Sequence, residues 1–237
     1  MRALPLALAF ATTPLAALPI SAQDNDFRPR TNFHVGASFV VAKPVGEFDD
    51  FIDSGYGLTL EAGYQPPSSI LGVALSGGFV IYGSETKQVC FSQTVGCRIL
   101  LDLKTNNAIV FLGLEPRLMF PAGPIRPFLD TSVGLSYFAT TSSVEGTQSD
   151  EDFASTTNLD DLVFAWTGGG GVLVPLGRGD VSLELAARYH GNGDATYLRE
   201  GDIIDNPDGS ITLQPNRSET NMLTFRLGVR VALRKGD

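Results

Sequence analysis

The sequence is poor in the residue types that most often carry chemistry. Its 237 residues include only two histidines, two cysteines and one tryptophan, and charged residues make up 18% of the chain. His34 and His190 lie far along the chain from Cys90 and Cys97, so these four residues do not form a metal-ligand pattern. We therefore expect no metal ion and no other cofactor.

Long apolar runs are missing beyond the amino end. No later stretch reaches about 18 consecutive apolar residues, which excludes a helical membrane span there. The net charge of −9 disfavours nucleic acid as a partner, because phosphate groups would be repelled.

The amino end has the pattern of an export signal. Met1-Arg2 supplies a positive residue, an Ala- and Leu-rich apolar stretch follows, and a small residue, Ala22, precedes Gln23. These features are typical of a secretory signal peptide, which we expect at residues 1–22. A short periplasmic leader over 23–30 and one domain over 31–237 would follow.

The two cysteines lie close together in one polar connection. In an exported protein a nearby pair usually forms a disulfide that fixes a loop. We therefore predict a structural disulfide between Cys90 and Cys97.

The last stretch of the chain alternates strictly between two kinds of side chain. From Leu223 to Leu233 every second residue is large and apolar, whereas Arg226 and Arg230 lie on the opposite parity. Successive side chains of a strand point to opposite faces. An unbroken apolar face opposite a charged one predicts that the apolar face meets lipid and the charged face lines a barrel.

Similar runs recur along the chain, separated by connections that alternate between short and long. This rhythm is typical of an antiparallel up-and-down transmembrane β-barrel with short periplasmic turns and long extracellular loops. The predicted fold is therefore all-β, a single barrel of eight strands. The predicted strands are Asn32–Ala42, Gly55–Tyr64, Leu71–Tyr82, Ala108–Phe120, Phe128–Thr140, Leu162–Val174, Val181–His190 and Leu223–Leu233.

Assigning the apolar parity of each run to lipid leaves acids and arginines together on the inner parity. An arginine facing lipid at the bilayer midplane costs about 2–4 kcal/mol, so this placement is informative. Eight strands enclose a lumen that side chains can fill, and each guanidinium can hold a carboxylate through two hydrogen bonds. The predicted interior charged network comprises Glu61, Glu115, Arg117, Asp130, Glu184, Arg188, Arg226 and Arg230.

Outward aromatic residues near the strand ends are typical of interfacial belts. They are Tyr56, Tyr64, Phe120, Tyr137, Trp166 and Tyr189.

Two segments admit another interpretation. Pro116 lacks the backbone N–H that would donate to the neighbouring strand, so the fourth strand could contain a bulge or a shifted register there. The segment Val181–His190 could also be a helix, with Glu184 and Arg188 paired four residues apart.

These features resemble the small eight-stranded outer-membrane barrels: the membrane domain of outer-membrane protein A, the outer-membrane protein X and W families, and opacity-type, porin-like proteins. The signal, the run Gly55–Tyr64 and the last strand carry the resemblance. It implies the outer membrane of a Gram-negative-type bacterium, contact with lipid and lipopolysaccharide, and insertion by the barrel-assembly machinery. In that superfamily the last strand normally ends on an aromatic residue, whereas here it ends on Leu233.

The expected function is a non-catalytic one in cell-envelope integrity or surface interaction, with acidic loops as a site for an extracellular ligand. One alternative is a narrow channel for small or apolar solutes. A lipid-modifying enzyme at the rim would use His190, the one histidine expected near the outside, with Ser136 or Ser142 as nucleophile. A secreted lipocalin-like binder would turn the apolar parity toward an internal ligand.

Overall fold

A computed structural model describes residues 33–66, 69–90, 100–120, 123–146, 149–177, 180–206 and 210–233. The expected signal peptide and leader lie outside these residues. Nearly all of the described chain is strand, with one short 3-10 helix at Gly46–Asp50. The strands are β1 (Phe33–Pro44), β2 (Gly55–Tyr64), β3 (Leu71–Cys90), β4 (Leu100–Met119), β5 (Arg126–Gly146), β6 (Ser149–Leu176), β7 (Val181–Asn192), β8 (Asp194–Tyr197), β9 (Ile203–Asp205), β10 (Ile211–Leu213), β11 (Asn216–Glu219) and β12 (Met222–Ala232).

Eight of these strands form a closed antiparallel barrel in the order β1-β12-β7-β6-β5-β4-β3-β2. The first and last strands close it, with pairs that run from His34↔Ala232 to Pro44↔Met222. Each remaining neighbour pair follows in chain order apart from the inserted β8–β11. The predicted up-and-down barrel of eight strands is confirmed.

The helical alternative for residues 181–190 is wrong. This segment is β7, which pairs with β12 on one side and β6 on the other. The charges that could pair along a helix, Glu184 and Arg188, instead share one face of a strand. No helix in the described ranges is long and apolar enough to cross a membrane.

Four of the barrel strands are much longer than predicted. β3 and β4 continue pairing from the barrel wall to Cys90↔Leu100, and β5 and β6 continue to Gly146↔Ser149. Much of the sequence between the third and fourth predicted strands, and between the fifth and sixth, is therefore strand. Polar residues dominate there because both faces lie outside the closed part of the barrel, and polarity alone does not separate such a strand from a loop.

The structure shows no shifted register at Pro116, one of the two alternatives that the sequence left open there. The β3–β4 register stays constant through Val73↔Pro116 and shifts only between Ile81 and Gly83. The β4–β5 ladder lacks pairs at Glu115 and Pro116 but resumes unchanged at Arg117↔Asp130. Pro116 is exposed on the outer face, so its ring displaces no interior side chain, and the missing donor interrupts the ladder locally.

Apolar clusters occupy both ends of the barrel interior. Near the short turns, Met119, Phe128 and Leu173 pack together. At the opposite mouth a larger cluster includes Phe48, Tyr82, Phe138 and Tyr197. The charged residues lie between these clusters.

Candidate functional site

The barrel interior is the candidate site because it gathers almost all the buried charge of the described chain. All eight residues predicted to face inward have side chains in the lumen. Arg188 is 1% exposed and Glu115 is fully buried. They come from five strands, β2, β4, β5, β7 and β12, which only barrel closure brings together.

The Glu115 carboxylate is the centre of the network. Arg188 donates to it twice, with Nη1–Oε2 at 2.5 Å and Nη2–Oε1 at 2.9 Å. The same guanidinium donates to Asp130 Oδ2 at 2.6 Å. One arginine on β7 thus joins carboxylates of β4 and β5.

Arg117 links Glu115 to a second carboxylate, that of Glu61. Its Nη2 lies 2.5 Å from Glu115 Oε1 and 2.6 Å from Glu61 Oε2. Its guanidinium carbon also lies 4.4 Å from the centre of the Phe128 ring. The apolar cluster at the short-turn end therefore packs directly against the charged network.

Glu61 completes the network toward β12 and β1. Arg230 Nη2 donates to Glu61 Oε1 at 2.5 Å, and His34 Nε2 lies 3.1 Å from the same oxygen. The nearest contacts of Glu184 are longer, at 3.4 Å to Arg230 and 3.6 Å to Arg117. His34 thus lies inside the lumen beside the network.

Arg226 lies in the lumen, but it stands apart from the other predicted arginines. Within the described chain it forms no ion pair with a carboxylate within 4.0 Å, and its Nε has no hydrogen-bond partner. The structure therefore places seven of the eight predicted charges in direct ionic contact and leaves Arg226 beside them.

Sequence reasoning missed one buried arginine. Arg126 is 3% exposed and begins β5, two residues before Phe128 on the same parity. The predicted fifth strand began at Phe128, so Arg126 was assigned to the preceding turn. Extending the inward parity of Phe128 and Asp130 by one step would have found it.

Burying these charges requires space in the wall as well as partners. An added Cβ at Gly169 would lie 2.3 Å from the Ala187 carbonyl oxygen and 2.7 Å from Arg188 Cγ. Glycine lets the stem of Arg188 lie against β6. Three glycines of the run Gly168–Gly171 thus serve close packing, namely Gly169, Gly170 and Gly171.

The outer mouth is closed by an aromatic cap. Phe48, on the 3-10 helix after β1, has its ring centre 5.2 Å from that of Tyr197 and 5.9 Å from that of Tyr82. Tyr82 Oη donates to the Leu198 carbonyl at 3.3 Å, and Tyr197 Oη lies 3.0 Å from Ser218 Oγ. Burial raises the pKa of Tyr197, which lies in the β8 extension beyond the barrel wall. The prediction placed Phe48 and Tyr197 in loops, where no periodicity indicates burial.

His190 does not form the pair that a serine nucleophile would need. It is buried in the lumen, with Nε2 3.0 Å from Thr224 Oγ1. Ser136 donates to Asn192 Oδ1 at 2.9 Å, and Ser142 bonds Thr105 and Asn158.

Among the residues that the structure describes, no three His, Cys, Asp or Glu side chains are grouped to hold a metal ion. The side chains of Cys90 and Cys97 lie outside the described residues, and their disulfide stays a prediction.

The outer surface of the barrel is a continuous apolar belt. Each barrel strand contributes exposed aliphatic or aromatic side chains on the parity opposite the charges. At the short-turn end Phe33 packs against Tyr64 at 5.1 Å, and toward the other end Trp166 packs against Tyr189 at 5.5 Å. The predicted outward aromatic residues all lie on this surface.

No family model and no curated protein matches the chain. Among solved structures it is similar to Neisserial surface protein A, with 17% identity, a TM-score of 0.48, and coverage of 85% of this chain and 97% of that one. It is also similar to a major outer membrane protein from Thermus thermophilus, with 13% identity, a TM-score of 0.46, and coverage of 83% and 98%. The N-terminal β-barrel domain of Pseudomonas aeruginosa OprF matches with 14% identity, a TM-score of 0.35, and coverage of 84% and 96%. The closed barrel of eight strands itself confirms, at the level of fold, the resemblance to small outer-membrane barrels predicted from the sequence.

Proposed function

We propose that the chain is an integral protein of the outer membrane of a Gram-negative-type envelope, with a closed lumen and no catalytic activity. Its role would be to support envelope integrity or to present a surface for interaction outside the cell. The apolar belt supports the membrane location, because such a continuous apolar surface would drive association in water. Aromatic pairs lie near both ends of the belt, at the positions where the two bilayer interfaces would be.

The filled lumen is the observation that carries the non-conducting role. Buried ion pairs cross the middle of the barrel, and apolar clusters occupy both ends. One cavity beside the charged network, lined by Arg226 and His190, has a volume of about 10 Å³, room for roughly one water molecule. A channel for solutes would need a continuous path through these groups.

The extended strands support a role on the external side. β3–β4 and β5–β6 project beyond the wall that β1, β2, β7 and β12 complete, and their side chains bond to one another across the sheet. Thr105 bonds Ser142 at 2.9 Å, and Ser84 donates to Asn106 at 2.8 Å. This ordered polar surface, together with the acidic outer connections, would contact lipopolysaccharide or an extracellular ligand.

The orientation of side chains disfavours a lipocalin-like binder. Such a protein would need apolar residues around an internal ligand, whereas this lumen holds charges and hydroxyls. His190 lacks the nucleophile partner that a rim enzyme would require. Insertion by the barrel-assembly machinery and export by a cleaved signal remain part of the proposal.

Three measurements test the proposal together. The protein should fractionate with the outer membrane, and its gel mobility should change on heating. In planar bilayers it should show no steady single-channel steps. The double variant Glu115→Ala/Arg188→Ala, which removes the central pair, provides a control in which a path could open. Recovery in the soluble periplasm would overturn the location, and steady steps from the unaltered protein would overturn the closed lumen.

A further inference from the structure

Arg226 and Arg126 are the two buried arginines of the described chain that lack a carboxylate partner, and of these two Arg226 lines an interior cavity. Arg117, Arg188 and Arg230 each have a carboxylate oxygen within 2.6 Å. Arg226 is 4% exposed, and no ion pair or side-chain hydrogen bond involves it in the described ranges. A buried guanidinium without a partner is costly, so such a group usually meets an anion or water.

The space that Arg226 faces is polar and free of carboxylates. Arg226 and His190 line the 10 Å³ cavity together with four hydroxyl side chains, Ser76, Ser132, Ser136 and Thr167. The remaining lining consists of apolar side chains and glycines. A cation there would be repelled by Arg226, whereas a small anion would meet one guanidinium and several potential donors.

At least two hydroxyl protons can point into this cavity. Ser76 makes no side-chain hydrogen bond among the described residues. Ser132 Oγ and Thr167 Oγ1 lie 2.8 Å apart, and whichever donates leaves the other with a free proton. Ser136 already bonds Asn192, and His190 already bonds Thr224. These two side chains therefore shape the cavity and do not need a ligand.

The balance of buried charge also favours an anion over a water molecule. The lumen buries five arginines and four carboxylates, so one positive charge is left over, and the two arginines without a carboxylate partner are Arg126 and Arg226. A monovalent anion would neutralise it. The arginines are Arg117, Arg126, Arg188, Arg226 and Arg230, and the carboxylates are Glu61, Glu115, Asp130 and Glu184.

We propose that this cavity binds a small monovalent anion of the size of chloride. Arg226 provides the charge, and Ser76 with the Ser132–Thr167 pair provides hydroxyl donors. The anion is a structural ligand of the barrel interior. The inference needs only the closed barrel, and it holds whether or not the protein conducts or contacts a ligand outside the cell.

Thermal unfolding of the protein in detergent micelles tests the site. At constant ionic strength, replacing sodium gluconate by sodium chloride should raise the unfolding midpoint by about 2–5 °C, with saturation, since a ligand bound only to the folded state stabilises it. Gluconate is too large for the cavity. Equal midpoints in the two salts would overturn the proposal.

Two variants locate the effect. Arg226→Met should abolish the difference between chloride and gluconate. Arg126→Met is the matched control, because Arg126 is equally buried but does not line the cavity, and the chloride effect should persist. Loss of the effect only in Arg126→Met would contradict the assignment.

Crystals of the unaltered protein grown in sodium bromide give a test that needs no variant. An anomalous bromide peak between Arg226 and Ser76 would support the site even if Arg226→Met fails to fold. An ordered cavity without an anomalous peak would overturn it.

Discussion

At the scale of single residues, Glu115 combines complete burial with ion pairs to two arginines. Its two carboxylate oxygens accept from Arg117 and from both terminal nitrogens of Arg188. Removing one member of a buried ionic cluster leaves the others desolvated and uncompensated, which costs more than the pair contributes in net terms. The interior should therefore be sensitive to loss of charge at this position.

Glu115→Gln should lower the free energy of unfolding by about 3–5 kcal/mol. Urea unfolding of the protein in detergent micelles would measure this difference. The control is Glu85→Gln, which removes a more accessible carboxylate 3.2 Å from Lys87 and should change the free energy by less than about 1 kcal/mol. Equal effects of the two variants would contradict an ionic core.

The glycines of β6 offer a second comparison between adjacent residues. Gly169→Ala should destabilise the barrel by about 1–3 kcal/mol through overpacking, because the new Cβ would lie 2.3 Å from a backbone oxygen of β7. Gly168→Ala should be tolerated, because its nearest contact would be the Trp166 ring at 3.8 Å. Unfolding midpoints of the two variants test this, and a reversed order would mean that the wall is not packed as described.

At the scale of elements, the aromatic cap depends on one short helix. Phe48, on the 3-10 helix Gly46–Asp50, is buried against Tyr82, Phe138 and Tyr197. The neighbouring Phe51 remains partly exposed, with the Arg199 guanidinium 5.4 Å from its ring centre. The same local segment thus supplies a structural residue and a matched control.

Phe48→Ala should loosen the connection that contains β8 while leaving the barrel wall paired. Hydrogen exchange should show faster exchange at Ala195–Tyr197 and unchanged protection in β12. Phe51→Ala should leave both unchanged. Unaltered exchange at β8 in the Phe48 variant would show that the cap does not hold this strand.

The strands of the barrel wall could be predicted from sequence, whereas the elements at its outer end could not. Period-two alternation fixed which face of β12 carries Arg226 and Arg230, since lipid and lumen impose opposite preferences on each parity. No such contrast exists in the extended parts of β3–β6, where both faces are polar. The burial of Phe48 and Tyr197 depends on contacts between segments about 150 residues apart, which local patterns do not contain.

The ion pairs inside the lumen could also not be predicted from the sequence. Parity predicted that Glu115 and Arg188 face inward, but their contact depends on the barrel bringing β4 and β7 within reach. The isolation of Arg226 is a consequence of the same geometry. A list of inward charges does not reveal which guanidinium is left without a carboxylate.

At the scale of the whole molecule, the structure is a cylinder with an apolar outside and a charged, filled inside. This arrangement inverts the usual distribution in water, where apolar groups are withdrawn and charges are exposed. A bilayer would satisfy both surfaces at once, because the belt would contact hydrocarbon while the charges pair within the lumen. The orientation of the apolar parity toward lipid is thus the property on which the proposed membrane role depends.

The single tryptophan of the chain gives the most direct measurement of that orientation. Trp166 is exposed on the outer face, beside Tyr189, and its fluorescence can be recorded without altering the protein. After insertion into vesicles of brominated lipids, emission should be strongly quenched, most by bromines near the interface, and iodide in the aqueous phase should quench it weakly. Quenching by iodide with no response to brominated lipid would show that the apolar face does not meet the bilayer.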